Sequence, residues 1–245
     1  MTEAIQKTTG TALAKPVEMP QGFENFDTTD LVLPRLKITQ AISGVVTEGN
    51  AKAGQFYAAL TGEVMDAPLE IVLLGMRKRR VMWDKKGETI LCRSMDSKWK
   101  HDGSLKCQDC PHQQWGENNE PPKCSFTYDY PVLLRASEQP MIFSLSSTAM
   151  NAARKLNTMA QVAVDPKTKR RLAIYERSYI ASLRQMEEGS KRWFVPDFKP
   201  GTQIEGGELD QVKIWFDMMS KINIKPAEDS EADGHNGTDT EGSPF

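Results

Sequence analysis

The residues best suited to chemistry are four cysteines, which all lie within a stretch of 33 residues. They are Cys92, Cys107, Cys110 and Cys124. The two residues between Cys107 and Cys110 allow both sulfurs to reach one tetrahedral ion at about 2.3 Å. Because the N-terminal residues contain no apolar secretion signal, disulfides are disfavoured and metal binding is the better account. Four thiolates leave no open coordination position, so the pattern predicts a closed, structural Zn²⁺ site.

Two alternatives to this site remain open from the sequence. His101 and His112 lie within the same stretch, and either imidazole could replace the thiolate of Cys92 or Cys124. A Cys-x-x-Cys pair can also be a redox centre, although the two partner cysteines favour a metal. Metal binding would further explain how residues 93–123, a polar stretch too long for an unsupported loop, can fold.

The sequence contains no catalytic motif that we can identify. It has no Gly-rich phosphate loop, no H-E-x-x-H or G-x-S-x-G motif, and only three histidines. It also has no apolar run long enough to span a bilayer. We therefore expect a protein that is not an enzyme, is not bound to a membrane and works in the cytoplasm.

Cationic residues cluster at three places, the first of which is a run of four at the exit of a hydrophobic strand. On a strand alternate residues share a face, so Arg77 and Arg79 should lie with Trp83. Lys78 and Arg80 should lie on the opposite face. Cations beside exposed rings suit a single nucleic-acid strand, since phosphates meet cations and bases stack on rings. The same cations could instead form a solvated edge that prevents strand aggregation.

The other two clusters occupy predicted turns, where mobile hairpins could grip a flexible strand. Their members are Lys167, Lys169, Arg170 and Arg171 in one turn, and Lys191, Arg192 and Trp193 in the other. Two further tryptophans, Trp99 and Trp115, lie within the cysteine stretch. They could pack on the metal site or stack on a base, and the sequence does not choose between these interpretations.

Residues 226–245 carry six carboxylates and no Lys or Arg, and they end in Pro244 and Phe245. Such a stretch cannot bury enough apolar surface to fold, so we expect a solvated tether. Without those six acids, 27 Asp and Glu face 31 Lys and Arg, so residues 1–225 carry a charge of about +4. A partner with a pocket for the terminal ring and a cation for the carboxylate would capture this end. The tail could instead serve only solubility.

This tail resembles the C-terminal tip of bacterial and phage single-stranded-DNA-binding proteins, in which an acidic tail ends in Phe, commonly after Pro. Here Gly242 and Ser243 separate the last acid from Pro244 and Phe245. Phage proteins of the T-even helix-destabilising type also carry a structural zinc inside an OB domain. They resemble the predicted architecture, although their ligand spacing differs. The resemblance implies an OB-fold that binds single-stranded DNA and recruits replication or recombination proteins through its tail.

The residue pattern predicts a mainly β protein with a few helices, of the α+β class, arranged as an OB-like Greek-key barrel with a zinc-stapled loop insertion. Strands are predicted at residues 31–39, 55–61, 69–83, 88–92, 128–135, 141–145, 172–185 and 192–198. Helices are predicted at residues 147–163 and 208–222, and Gly75 should mark a bulge or a sharp bend in the strand that contains it. The predicted organisation is a flexible arm (1–26), a nucleic-acid-binding core (27–225) with the insertion 92–124, and a disordered acidic tail (226–245).

These observations together predict a sequence-nonspecific single-stranded-DNA-binding protein, of phage type, that protects DNA in replication, recombination or repair. In a phage it would work in the cytoplasm of the bacterial host. One alternative is a zinc-containing adaptor that binds a host protein such as RNA polymerase. Another is a recombination mediator that binds duplex or annealed DNA. The sequence does not indicate an oligomeric state.

Overall fold

The computed structural model describes residues 32–84 and 89–221. The predicted arm (1–26) and the acidic tail (226–245), with Pro244 and Phe245, lie outside the described residues. The strands are β1 (Arg35–Ile38), β2 (Phe56–Ala58), β3 (Glu63–Met65), β4 (Leu69–Leu73), β5 (Arg77–Trp83), β6 (Ile90–Ser94), β7 (Cys124–Leu134), β8 (Gln139–Ser146), β9 (Arg177–Glu188) and β10 (Lys191–Gln203). The α-helices are α1 (Gly44–Thr47), α2 (Met150–Val162) and α3 (Gly206–Lys221).

The strands form one mixed sheet of ten strands. Its order is β10-β9-β4-β7-β8-β1-β2-β3, and β5 lies beside the first half of β7 with β6 on its other side. The β1–β8 pair is parallel and the other pairs are antiparallel. The α+β class is thus confirmed. The expected closed barrel is wrong, because β1 occupies the side of β8 that a last strand would need and the ends β10 and β3 stay unpaired within the described residues.

A side chain bridges part of the gap between β1 and β10. The amide of Gln40, just after β1, donates a hydrogen bond of 3.0 Å to the carbonyl of Phe194 and accepts one of 2.8 Å from its N–H. The ring of Phe194 lies so close to Gly54 that a Cβ at Gly54 would meet it at 2.6 Å. The open sheet therefore curls until its two sides touch at this seam.

Apolar side chains fill both faces of the sheet. The core on one face lies between the sheet and α2, and it includes Ile71, Leu73, Tyr130, Val132, Phe143, Phe198 and Leu156 of α2. The core on the other face lies between the sheet and α3, and it includes Val72, Leu74, Leu133, Ile142 and, from α3, Val212 and Met219. Residues 71–74, from β4 into the segment after it, alternate between these two cores, which explains why they form a continuous hydrophobic run and do not alternate with polar residues.

Most predicted elements exist, with shifted ends. The predicted strand at 69–83 is divided into β4 and β5 around Gly75, which has a φ of 155°. Between the pairs Leu73–Val132 and Arg77–Asp129, three residues of this segment lie opposite two of β7, so the first of the predicted alternatives, a bulge, is the one found. The predicted helices at 147–163 and 208–222 correspond to α2 and α3. Strands β9 and β10 extend further into their shared hairpin than the sequence indicated. None of the helices in the described segments has the length and apolarity needed to cross a membrane.

Candidate metal centre and nucleic-acid interface

The strand register brings the first and last cysteines together. Cys92 on β6 and Cys124 on β7 both pair with Met82, which lies on the strand between them. Residues that pair across antiparallel strands project from the same face. The ends of the residue 92–124 segment, which we call the cysteine module, are therefore joined by backbone hydrogen bonding through β5.

The other two cysteines come from a short turn within the cysteine module. Cys107 begins a 3₁₀ helix (Cys107–Asp109), and the N–H of Cys110 donates a hydrogen bond of 3.1 Å to the carbonyl of Cys107. All four cysteines line one cavity of about 30 Å³, together with residues that include Arg80 and Lys100. The sequence-predicted ligand residues are thus gathered around a common space.

The histidines that the sequence left as alternatives are placed differently. His101 and His112 are exposed, and neither is among the residues that line the cavity. The four thiols line one cavity but are not arranged at metal-ligand distances from a common point. Within residues 32–84 and 89–221, no three Cys, His, Asp or Glu side chains are so arranged. The geometry favours the four cysteines over the histidines as the candidate ligand set.

Positive charge surrounds the thiols. Burial raises the pKa of Cys124, and the guanidinium of Arg80, which hydrogen bonds the thiol, acts in the opposite direction. Burial likewise raises the pKa of Cys92, and the ammonium of Lys100 opposes it. A Zn²⁺ ion with four thiolates has a net charge of about −2. Arg80 and Lys100 would offset part of that charge, and Lys100 also forms an ion pair of 2.9 Å with Asp102.

The four consecutive cations of β5 divide between the two faces of the sheet, as strand alternation predicts. Arg77 donates a hydrogen bond of 2.8 Å to the carbonyl of Met219 in α3, and burial lowers its pKa. Arg79 forms an ion pair of 2.7 Å with Asp129, a residue only 3% exposed. Both guanidinium groups are therefore engaged inside the protein and are poorly placed to meet phosphate.

The opposite face presents the other two cations beside aromatic rings. Lys78 and Arg80 pair across the strands with Tyr128 and Phe126 of β7. The Arg80 guanidinium lies 5.0 Å from the centroid of the Phe126 ring. Phe126 and Tyr128 meet edge to face at 4.9 Å, and Tyr130 continues the row with its ring 6.1 Å from that of Tyr128. We call Lys78, Arg80, Phe126 and Tyr128 the cation–aromatic face.

The sequence interpretation missed the two rings of this face. The signal was present, because Phe126, Tyr128 and Tyr130 follow one another at every second position, which on a strand places them on one side. Phe126 and Tyr128 remain half-buried, whereas Tyr130 is fully buried and its hydroxyl hydrogen bonds α2. The row therefore runs from the core toward solvent.

The cations of the turn after α2 are partly committed to carboxylates. Arg170 forms two hydrogen bonds of 2.9 Å with Glu176, and Lys167 lies 3.9 Å from Glu205. Lys169 and Arg171 are exposed and form no ion pair with the residues that the structure describes. This turn therefore offers fewer available charges than its sequence suggests.

The β9–β10 hairpin carries the third predicted cluster. Arg192 pairs with Glu187 at 3.2 Å, Lys191 is exposed, and Trp193 is half-buried with its indole N–H lacking a hydrogen-bond partner among the described residues. Because β9 is antiparallel to β4, this hairpin tip extends past Leu69, whereas β5 continues from the other end of β4. The DNA contacts predicted on this hairpin and those predicted on β5, which include the half-buried Trp83, therefore do not form one contiguous patch.

The model of a protein family described as Pam3 phage gp34-like protein matches residues 6–224. This chain belongs to the Pam3 phage gp34-like family. The family is named for a phage protein, which supports the expected phage origin. No curated protein and no solved structure matches the chain.

The matched region of this gp34-like chain includes the whole cysteine module and the cation–aromatic face. It ends before the acidic residues of the tail. The features that the geometry brings together are therefore all within the part of the chain that defines the family match.

Proposed function

We propose that this gp34-like protein binds single-stranded DNA without sequence preference and protects it during phage replication, recombination or repair in the host cytoplasm. It acts as a binding protein and not as an enzyme. The observation that carries this proposal is the cation–aromatic face, in which Arg80 and Lys78 pair directly with Phe126 and Tyr128. Phosphates would meet the exposed Lys78, since the Arg80 guanidinium lies over the Phe126 ring and donates a hydrogen bond of 2.9 Å to the Ser97 hydroxyl. Bases would stack on the rings, and neither contact distinguishes one base from another.

The strand order supports an OB-type arrangement for this function. Strands β9-β4-β7-β8 lie in the order of a Greek key, with the strand that returns after α2 placed beside the first. In OB-folds, oligonucleotides lie on the second and third strands and against the first and last hairpin connections. The corresponding parts here are β7 and β8, the β5–β6 hairpin with the cysteine module, and the tip of the β9–β10 hairpin. Since the basic clusters of β5 and the β9–β10 tip lie at opposite ends of β4, one bound strand would have to run along the sheet to contact both.

We further propose that Cys92, Cys107, Cys110 and Cys124 hold one structural Zn²⁺ ion. The donor set fits this ion, because soft thiolates bind zinc and four of them complete a tetrahedral site. Their common cavity and the cations Arg80 and Lys100 beside them support the assignment. The ion would keep the long connection between β6 and β7 folded, which fixes the edge of the proposed DNA surface.

We also propose that the acidic tail competes with DNA for the cationic surface and recruits partner proteins. The contact between Arg77 and the carbonyl of Met219 places the end of α3 beside β5, so the chain leaves the described fold near that strand. The tail acids would occupy the cationic surface when DNA is absent, and Phe245 would bind replication or recombination proteins when DNA is present. Deletion of residues 226–245 should then raise affinity for a single strand at low salt. Unchanged or weaker affinity would refute the competition.

The main test compares one mixed-sequence oligonucleotide in single-stranded and duplex form, using fluorescence anisotropy at several salt concentrations. We expect strong preference for the single strand and a log–log salt slope of about −0.7 for each phosphate contacted. Preference for duplex would support a recombination mediator instead. No binding to either form would overturn the proposal and favour an adaptor that binds a host protein.

One observation favours the adaptor as the second candidate. Leu91 on β6 and Trp115 in the cysteine module are 55% and 54% exposed. Exposed apolar side chains mark protein-binding surfaces when they are grouped. Capture of a host protein by a chain that does not bind oligonucleotides would establish this function.

A further inference from the structure

The first half of the cysteine module contains a small hairpin that is not part of the cation–aromatic face. The N–H of Cys107 donates a hydrogen bond of 2.7 Å to the carbonyl of Lys98, and the N–H of Lys100 donates one of 2.9 Å to the carbonyl of Leu105. The turn between these strands includes Gly103, whose φ of 72° suits a residue without Cβ. The hairpin therefore covers residues 98–107 and ends at a candidate metal ligand.

The base of this hairpin is fixed by Asp96. Its carboxylate accepts hydrogen bonds of 2.8 Å and 3.1 Å from the N–H groups of Lys98 and Trp99, and these bonds lower the pKa of Asp96. The same oxygen accepts a bond of 3.1 Å from the hydroxyl of Ser94, a residue buried in β6. These bonds fix the backbone of Trp99 next to β6. The other side of the hairpin is fixed by the hydrogen bond from the Cys107 N–H to the Lys98 carbonyl.

A tryptophan and a lysine share one side of this fixed hairpin. Trp99 and Lys106 are antiparallel bridge partners, and the Lys106 ammonium lies 5.3 Å from the centroid of the indole ring. Trp99 is 44% exposed even though its backbone is well anchored. Lys106 is exposed and forms no ion pair with any residue of the described segments. A ring that served only to fill the core would be buried, so the exposed part of the indole has no role in core packing. The Lys106 ammonium contacts this ring and no carboxylate of the described segments.

We infer that Trp99 and Lys106 form a second binding site for an unpaired nucleotide, separate from the cation–aromatic face. The base would stack on the exposed part of the indole, and Lys106 would meet the adjoining phosphate. A cation beside an exposed ring favours a nucleic-acid strand as the ligand, because a strand carries a phosphate next to every base. This inference rests on the proposed binding of single-stranded DNA and adds the cysteine module to the binding surface.

The test measures the affinity of the full chain for a homopolymeric thymidine oligonucleotide by anisotropy, with zinc content as a check on folding. A stacked base contributes about 1–3 kcal/mol, so Trp99→Ala should weaken binding by roughly 5- to 150-fold. Trp99→Phe should retain most of the affinity because Phe keeps a stacking face. Trp115→Ala is the matched control, since it removes the other exposed indole of the same module, and its affinity should stay near that of the unmodified chain.

The outcomes separate this inference from the proposed function. Equal affinity of Trp99→Ala and the unmodified chain, with Tyr128→Ala weakened, would overturn the second site and leave the first. Equal weakening by Trp99→Ala and Trp115→Ala would also overturn it, because the loss would then reflect the module as a whole. If the unmodified chain binds no oligonucleotide, both the proposed function and the second site are refuted.

Discussion

Arg79 donates a hydrogen bond of 2.7 Å to Asp129 at a place where their side chains are only 13% and 4% exposed. Asp129 also accepts a bond of 2.6 Å from the Ser144 hydroxyl, which in turn accepts one of 3.1 Å from Arg35. This network joins β5, β7, β8 and β1. Arg79 therefore contributes to the fold, although it stands in the same basic run as Lys78, which is exposed.

Arg79→Met should destabilise the protein, because it leaves the buried carboxylate of Asp129 without its partner. Breaking a buried pair in this way costs about 3–5 kcal/mol. The free energy of unfolding from urea titration measures the loss. Adding Asp129→Asn should recover part of it, since the uncompensated charge is then removed. A single variant as stable as the unmodified chain would contradict the structural role of Arg79.

Lys78→Glu should weaken single-strand binding without a comparable loss of stability, because Lys78 is exposed on the cation–aromatic face. Loss of one phosphate contact should reduce the log–log salt slope by about 0.7. Lys213→Glu makes the same change in charge at an exposed position of α3, which packs on the other face of the sheet, and serves as the control. The interface would be wrongly placed if the two variants lowered affinity equally in the same anisotropy titration.

The elements of the fold could largely be predicted from local patterns, whereas their arrangement could not. The hydrophobic run and Gly75 indicated a bent strand, and both β4 and β5 exist on either side of that glycine. The parallel pairing of β1 with β8 has no local signal, because it joins residues more than a hundred positions apart. Whether the sheet closes depends on the pairing of β1 with β8, so the open sheet could not be predicted from local sequence patterns.

The same limit applies to the candidate sites. Cysteine spacing predicted a shared site, and the four side chains do line one cavity. Alternation correctly separated Arg77 and Arg79 from Lys78 and Arg80. The sequence could not show that Asp129 and Glu176 would engage Arg79 and Arg170, because ion pairing depends on which strands and turns become neighbours.

Glu176→Gln should lower stability near neutral pH, with an effect that fades in acid. The Arg170 guanidinium hydrogen bonds the Glu176 carboxylate and holds its pKa below the ordinary value of 4.5. A lowered folded-state pKa contributes stability above the unfolded value, and this stability is lost as the pH falls through the folded value. The melting temperatures of Glu176→Gln and of the unmodified chain should therefore converge as the pH falls below about 4.5. A constant difference in Tm across that range would contradict the pairing.

Gly54→Ala should destabilise the seam where β10 meets the connection between β1 and β2. A Cβ at this position would meet the Phe194 ring at 2.6 Å, and overpacking of this kind costs about 1–3 kcal/mol. Gly49→Ala is the matched control, because Gly49 has a φ of +80°, close to the +85° of Gly54, with no atom within 4 Å of its added Cβ. Urea denaturation should thus show the larger loss for Gly54→Ala. Equal losses would mean that only backbone strain matters there.

Removal of any one of the four cysteine thiols should release the proposed zinc ion and unfold the cysteine module. The purified chain should contain about one equivalent of zinc, since one closed site holds one ion. Cys107→Ser should reduce that content sharply, because a three-thiolate site is incomplete and its binding energy is part of the folding energy of the module. Trypsin should then cleave after Lys98, Lys100 or Lys106, which the folded hairpin protects.

The two histidines provide the controls for this prediction. His101→Ala and His112→Ala should keep the full zinc content and the resistance to trypsin, since neither residue lines the cysteine cavity. Zinc loss in either histidine variant would show that this histidine is a ligand in place of one of the four cysteines. Less than about half an equivalent of zinc in the unmodified chain would refute the site altogether, since a closed four-thiolate centre retains its ion through purification.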